Sequence, residues 1–207
     1  MAEDERELEV KYFLADLNRM IDILDRLGVS LKKERVHEFN LIFDTRDRDL
    51  ARSGQVLRLR KDWKSYMTFK GPDVSGADVL NRQEIQFAVS NFESAKNMLT
   101  ALGFEVSMVY EKYRTLYQHN QVDITLDEMP YGDFVEIEGP TVSEIIEVSN
   151  MLGLGWDKRI LVRYTDLFDD LRIRLDLDFR DLVFNEFQKL KITQYDLGVQ
   201  PADMDRV

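Results

Sequence analysis

Like charges recur at spacing two along this chain of 207 residues. Glu7 and Glu9 precede Lys11 in ELEVK, Arg58 and Arg60 pair in LRLR, Lys112 and Arg114 in EKYR, and Glu136 and Glu138 in EIEG. Asp123 and Asp127 share a face of VDITLDE, Arg82 and Glu84 share one in NRQEI, and Lys70 closes MTFK. On a strand such positions lie on one face, because successive side chains alternate sides. A wet face explains charge, but it predicts mixed charge with Ser, Thr and Gln interspersed. Like charges set side by side repel and do nothing for the fold. If these faces converge, they line a lumen with Lys11, Arg58, Arg60, Lys70, Lys112 and Arg114 beside Glu7, Glu9, Asp127, Glu136 and Glu138. Lysine and arginine match phosphate oxygens, arginine with two donors at once. Clustered carboxylates repel the same anion unless a divalent cation, magnesium or manganese, lies between. The chemistry implied is a metal-assisted triphosphate site.

Strands must carry these faces, and the sequence supplies them. ELEVKYFL, VHEFNLIFDT, QVLRLRKD, YMTFKG, RQEIQFAV, VYEKYRTLYQ, QVDITLDEM and DFVEIEG each place β-branched or aromatic residues at period two between turn residues. DWKS, HNQ and PYGD read as hairpin turns. Three helices interrupt the strands, with Asp16 as one cap and Ser90–Glu93 and Thr141–Glu144 as capping boxes. Each ends in Leu-Gly, at Gly28, Gly103 and Gly153. A weak internal repeat accompanies them: Glu-Leu-Glu at 7–9, Glu-Ile-Gln at 84–86 and Glu-Ile-Glu at 136–138 each lead into a helix. From about Lys158 the pattern changes. LVRYTDLFDDLRIRLDL has helical spacing, FRDLVFNEFQKLK continues helix-like, and YDLGVQPADMDRV reads as a polar tail that frays.

The expected fold is α+β: an eight-stranded antiparallel β-barrel with flanking helices and a C-terminal helical appendage. The expected division is a tunnel domain over residues 1–157 and an appendage with its tail over 158–207. A closed sheet also removes the exposed edges so many strands would leave.

Composition narrows the function. A net charge of −11 argues against non-specific binding to nucleic acid or an anionic membrane. The absence of cysteine excludes disulfides and thiolate chemistry, and two histidines, His37 and His119, are too few and too far apart for a histidine-rich zinc site. Both read as strand-surface or turn residues. Phe39, Phe43, Tyr110, Tyr113 and Tyr117 read as barrel wall, and Trp63 as a hairpin tip. The opening MAEDERELEV has neither a basic nor an apolar signal region, and no apolar run reaches the length of a membrane span, so a cytoplasmic protein is expected.

These residues resemble the CYTH superfamily, the triphosphate tunnel metalloenzymes, which include class IV adenylyl cyclases, thiamine triphosphatases and inorganic triphosphatases. ELEVK is similar to its Glu-x-Glu-x-Lys signature, and FDTRDRDLARSGQVLRLR, TFKGP, RQEI, YEKYRTLY and LDEMPYGDFVEIEG follow in the family's order over roughly residues 5 to 153. The resemblance implies that Glu7, Glu9, Asp127, Glu136 and Glu138 hold the divalent metal (Mg2+ or Mn2+). It implies that Lys11, Arg58, Arg60, Lys70, Arg82, Lys112 and Arg114 grip the triphosphate, with Glu7, Glu9 and Lys11 at the reaction itself. Glu84 accompanies Arg82 without an assigned role, and Asp123 has no family position.

Two reactions fit such a site. A metal-activated water can attack the terminal phosphorus of tripolyphosphate or an organic triphosphate; alternatively the ribose 3′-hydroxyl of ATP can attack the α-phosphorus, as in a class IV cyclase. No base-specific constellation stands out, so hydrolysis is the first expectation and cyclisation the second. A non-catalytic polyphosphate or nucleotide sensor is the third. The expected partner is a small-molecule triphosphate, with no nucleic acid or membrane, and a homodimer as the one protein association left open. DKR at 157–159 and Arg163 read as solvated helix charges, with a C-terminal lid that supplies one cation to the tunnel mouth as the alternative.

Overall fold

In the computed structural model, residues 6–74 and 78–204 are described. Eight strands form the framework: β1 (Arg6–Leu14), β2 (Ser30–Asp44), β3 (Val56–Lys61), β4 (Ser65–Lys70), β5 (Leu80–Val89), β6 (Glu105–His119), β7 (Val122–Met129) and β8 (Gly132–Glu138). They close in a ring in the order β1-β5-β4-β3-β2-β6-β7-β8, and every neighbour is antiparallel. Helices α1 (Leu17–Arg26), α2 (Asp49–Arg52), α3 (Phe92–Ala101) and α4 (Val142–Met151) lie between strands or directly after them. A 3-10 turn (Trp156–Lys158) then leads to α5 (Tyr164–Leu175), α6 (Phe184–Phe187) and α7 (Gln194–Leu197). Among the described residues no helix is long and apolar enough to cross a membrane.

Alternation sorts each strand into two faces. On β1, Val10, Tyr12 and Leu14 point outward into a core completed by Met20 and Leu24 of α1 and Ile145 and Val148 of α4. A second core under α3 gathers Leu41, Leu59, Met67, Ala95 and Leu99. With the outer faces occupied in this way, the charged positions are left to the interior. The acidic repeat also acquires a spatial meaning, because β5, β1 and β8 are neighbours and bring Glu84, Glu7, Glu9, Glu136 and Glu138 side by side.

The helix caps follow the sequence with one correction. Asp16 accepts from the Arg19 N–H and Thr141 from the Glu144 N–H, but α3 starts on Asn91, whose side chain accepts from Ser94 N–H, and not on a Ser90–Glu93 box. The Asn91 amide oxygen takes the next orphan donor, Ser94 N–H in place of Glu93 N–H, so the helix begins one residue later. Gly28, Gly103 and Gly153 carry positive φ after their helices, as the Leu-Gly endings require.

The C-terminal part is more tightly joined to the barrel than its composition suggests. The wall has two places where neighbouring strands part: β1 pairs with β5 only as far as Glu9, and β6 pairs with β7 only from Tyr113 onward. Residues after α4 fill both. Ile160 N–H donates to Lys11 O (2.8 Å) and Ala202 N–H to Phe13 O (3.0 Å) along β1. Leu182 N–H donates to Val109 O (2.8 Å) and its carbonyl accepts from Glu111 N–H (2.9 Å) along β6. The stretch FRDLVFNEFQKLK is therefore largely extended, with only the four-residue α6 inside it, because its backbone serves as a short strand for β6. The expected fraying also fails up to Met204. Ala202 is fully buried, and the Asp203 carboxylate accepts from the N–H groups of Ala15 (2.9 Å) and Asp16 (3.1 Å). Residues 205–207 of that tail lie outside the described residues.

Candidate active site

The inward faces enclose a cavity of about 740 Å³ bordered by Lys11, Arg58, Arg60, Lys70, Arg82, Lys112 and Arg114, and by Glu7, Glu9, Glu84, Glu136 and Glu138. All the cations expected from the sequence therefore meet in one lumen. Period two on the strands is the reason: each charged pair occupies alternate positions, and the closed ring turns all those faces to the same side.

Three groups of contacts organise the lumen. In the first, the Asp127 carboxylate accepts from Arg114 Nε (2.6 Å) and Lys112 Nζ (3.0 Å), while Arg114 also pairs with Glu136. Asp127 is fully buried and does not border the cavity, since Lys112 and Arg114 stand in front of it. Burial alone would raise the Glu136 carboxyl, but Arg114, then Lys11 and Lys112, outweigh it and hold the group well below the usual carboxylate range. In the second, Lys70 Nζ donates to Glu7 Oε1 (2.6 Å) and lies 3.0 Å from Glu84, and Arg82 donates to Glu9 (2.9 Å). Lys11 joins these two groups, 3.7 Å from both Glu9 and Glu136. In the third, Arg58 donates to Tyr110 Oη (3.1 Å) and Thr68 Oγ1 (3.3 Å), and Thr68 in turn donates to Gln86.

Glu138 stands apart. It is the Cα partner of both Glu9 and Asp123, and it makes no ion pair among the described residues. Its side chain reaches solvent at the rim, yet the surrounding wall desolvates it, and this together with Glu7 and Glu9 raises its pKa to about 8. Asp123 borders the same end and accepts from Gln118 Nε2 (2.8 Å).

The structure thus brings Glu7, Glu9, Glu84 and Glu138 together and sets Asp127 elsewhere. Along β7, Asp127 lies four residues from Asp123, roughly 13 Å at strand spacing, in the layer of Phe134. Among the described residues no three Asp, Glu or His side chains stand converged on a metal position. Glu7 and Glu9 are turned instead to Lys70 and Arg82. In kind, however, the donors fit a hard divalent cation: they are all carboxylates, and a group pushed up by desolvation and by its neighbours' negative charge is one that a cation would relieve. The lumen also holds buried polar atoms without a partner, the Nε atoms of Arg58, Arg60 and Arg82 and Thr125 Oγ1, which suits a strongly accepting guest.

Several residues of this site were not read from the sequence. Glu38 is almost fully buried on β2 between Arg60 (3.5 Å) and Lys112 (3.9 Å); burial opposes its charge, but Lys112, Arg114 and Arg60 hold its pKa at about 2. Its signal was a lone carboxylate at period two within an apolar strand. Tyr110, expected in the wall, turns inward to Arg58 because it lies two residues before Lys112 on the same face of β6. Tyr113 keeps an outward place against His37 and Phe184. Tyr164 reaches the lumen from α5 and had no local signal at all. Arg163 borders the cavity but is held by Asp166. Asp44, inside the FDT stretch, serves the loop that follows it. Buried, it accepts from the N–H groups of Thr45, Leu50 and Ala51 and folds that loop back into β3.

Comparison with known proteins agrees with this geometry. An adenylate cyclase assigned provisionally by name in Methanocaldococcus jannaschii is 26% identical over 172 residues, covering 78% of this chain and 97% of that protein. The adenylate cyclase CyaB of Aeromonas hydrophila is 26% identical over 188 residues, covering 89% and 87%. A solved Hippeastrum structure, described as a candidate adenylyl cyclase with a dominant triphosphatase activity, superimposes with a TM-score of 0.55 at 18% identity, covering 70% of this chain and 84% of that one. The CYTH domain profile matches residues 5–145, and those residues contain every strand of the ring and the lumen cations Lys11, Arg58, Arg60, Lys70, Arg82, Lys112 and Arg114. This chain belongs to the CYTH family, whose members are enzymes that act on triphosphates.

Proposed function

We propose that the protein is a divalent-metal-dependent phosphohydrolase that cleaves tripolyphosphate or an organic triphosphate inside the tunnel. The observation that carries this reading is the convergence of Lys11, Arg58, Arg60, Lys70, Arg82, Lys112 and Arg114 on one cavity beside a separate group of carboxylates. Glu7, Glu9 and Glu138 would hold the metal with Glu136 at their margin, and a metal bound there would supply Lewis-acid charge stabilisation and an activated water. The chain's own part is to fix the phosphates. Arg114 and Lys112 are anchored by Asp127, and Arg58 by Tyr110 and Thr68, so their remaining donors are set in place before an anion arrives. Donors placed in advance on the transferring group's oxygens stabilise the charge that builds there.

Cyclisation of ATP is the second reading. It is favoured by the names of the relatives and by an apolar stretch of cavity wall, Ile42 and Met108, that could face a base. Hydrolysis is placed first because the two tyrosines bordering the cavity are engaged by their hydroxyls with Arg58 and Asp127, among the phosphate-matching ion pairs. The Hippeastrum neighbour, called a cyclase yet described as mainly a triphosphatase, supports giving the geometry precedence over the name. The test is a product analysis. Purified protein with magnesium or manganese is offered tripolyphosphate, thiamine triphosphate and ATP while orthophosphate, pyrophosphate and cyclic AMP are measured. Orthophosphate release from one of these is the expected result. Cyclic AMP as the main product establishes the second reading, and no turnover with either metal leaves a binding protein.

A further inference from the structure

The family match ends at residue 145, yet side chains beyond it border the lumen, and one of them, Tyr164, meets the ion pairs of its wall. Tyr164, the first residue of α5, donates its hydroxyl to Asp127 Oδ2 at 3.0 Å. The face of its ring lies 5.3 Å from Lys11 Nζ and 5.4 Å from Lys112 Nζ, measured to the ring centre. One residue therefore touches two cations of the site and the carboxylate that anchors two of them.

Its own position is fixed from behind. Phe134 packs edge-on against the ring (5.1 Å between centroids), and the Tyr131 hydroxyl donates to the Tyr164 carbonyl (2.9 Å). On β1, β7 and β8 the inward rows change here from charged to apolar: Lys11 gives way to Phe13, Asp127 to Met129 and Glu136 to Phe134. Tyr164 sits at that boundary, with its hydroxyl on the polar side and its ring bridging both. Burial, with the charges of Asp127 and Glu136, keeps the hydroxyl protonated far above its ordinary pKa, so it is a permanent donor.

We infer that Tyr164 is a positioning residue for triphosphate binding: it holds Asp127, and through it Lys112 and Arg114, while its ring face holds Lys11 and Lys112 at the height where phosphate oxygens lie. An anchored Asp127 that receives a tyrosine hydroxyl draws less on Lys112, which leaves ammonium protons for the anion. The ring restrains two flexible lysines that would otherwise lose more rotamer freedom on binding. This inference rests on the reading of the lumen as a triphosphate site and not on which reaction follows.

The test uses the full chain and tripolyphosphate as the probe, with the dissociation constant measured by calorimetry and KM and kcat measured wherever turnover is found. Tyr164→Phe keeps the ring and removes the hydroxyl; it is expected to weaken binding and raise KM by roughly 3- to 10-fold, with kcat within about twofold. Tyr164→Leu removes both and is expected to weaken binding by roughly a further 3-fold or more. In Asp127→Asn the loss caused by Tyr164→Phe should shrink, because the hydroxyl acts through that carboxylate. An unchanged dissociation constant in Tyr164→Phe overturns the inference, whatever happens to its melting temperature. So does an effect confined to kcat with a displaced pH profile, which would make the tyrosine a proton donor in the reaction. A wild type that does not bind tripolyphosphate overturns this inference together with the functional reading; a wild type that binds and a Phe variant that binds equally well overturns this inference alone.

Discussion

The two ion groups that Lys11 joins have opposite charge balances. On one side Lys11, Arg60, Lys112 and Arg114 face Asp127, Glu136 and Glu38, so the cations outnumber the carboxylates. On the other, among the described residues, Glu7, Glu9, Glu84 and Glu138 face Lys70 and Arg82, with Lys11 at 3.7 Å from Glu9. Glu136 is accordingly held far below the carboxylate range, whereas Glu138 is raised to about 8, although both belong to the same strand two residues apart. Burial opposes the charge in both, so the difference lies in the neighbours. A lumen built this way offers one side to an anion and the other to a cation, and it lets each guest offset the other's charge.

The comparison can be broken most directly on the carboxylate-rich side. Glu9→Gln leaves the strand and its packing intact but removes the charge beside Glu7 and Glu138. Metal-dependent turnover should fall at least on the order of 100-fold, with a modest drop in melting temperature, because the amide oxygen still accepts from buried Arg82 and Glu7 stays 3.7 Å from it. Orthophosphate release with and without metal checks this, and full activity in the variant would remove the metal from that side of the tunnel. Arg114→Met acts on the other side with a different signature. It strips the fully buried Asp127 of its bidentate partner and leaves Glu136 with Lys11 at 3.7 Å. Removing one member of a buried pair is costly, so a loss of about 3 kcal/mol in unfolding free energy is expected, together with a raised KM. Denaturant unfolding measures the first quantity. A variant as stable as wild type would mean that Lys112 and Tyr164 suffice to hold Asp127.

How much of this the sequence carries depends on which physical effect placed each residue. The lumen cations were legible because period two on a strand is a local rule, and LRLR, EKYR and ELEVK obey it wherever the strands pair. The ring was legible because eight such segments need closure. Tyr110 was missed although it obeys the same rule, since an aromatic residue reads as wall until its partner Arg58 is known. Asp127 was placed with the metal carboxylates, but its partners come from β6 and α5, and register between strands is not written in either one. The C-terminal segment was the least legible. Its extended backbone at Leu182 and its anchor at Asp203 answer gaps in pairing at Val109 and Phe13, which exist only once the barrel has formed. Tyr164 belongs to the same class, a side chain whose role is set entirely by what it meets.

The smallest expected effect is the one that isolates the charge imbalance itself. Glu138 in the folded protein holds its proton up to about pH 8, while the unfolded chain releases it near 4.5. Between those values the folded state binds more protons than the unfolded one, so this group's contribution to stability is complete below about pH 4.5, declines as pH rises through the window, and is lost above 8. Glu138→Gln cannot ionise and should remove that slope: its melting temperature should match wild type near pH 4.5 and exceed it by roughly one to a few degrees at pH 9. Solvent access at the rim weakens the effect, which is why it is set last. Adding magnesium should reverse the order at pH 8, because wild type then gains a bound cation that the variant holds less well. A wild-type melting curve without that slope would mean that neither desolvation nor Glu7 and Glu9 raise Glu138, and the two sides of the lumen would then differ less than their contacts imply.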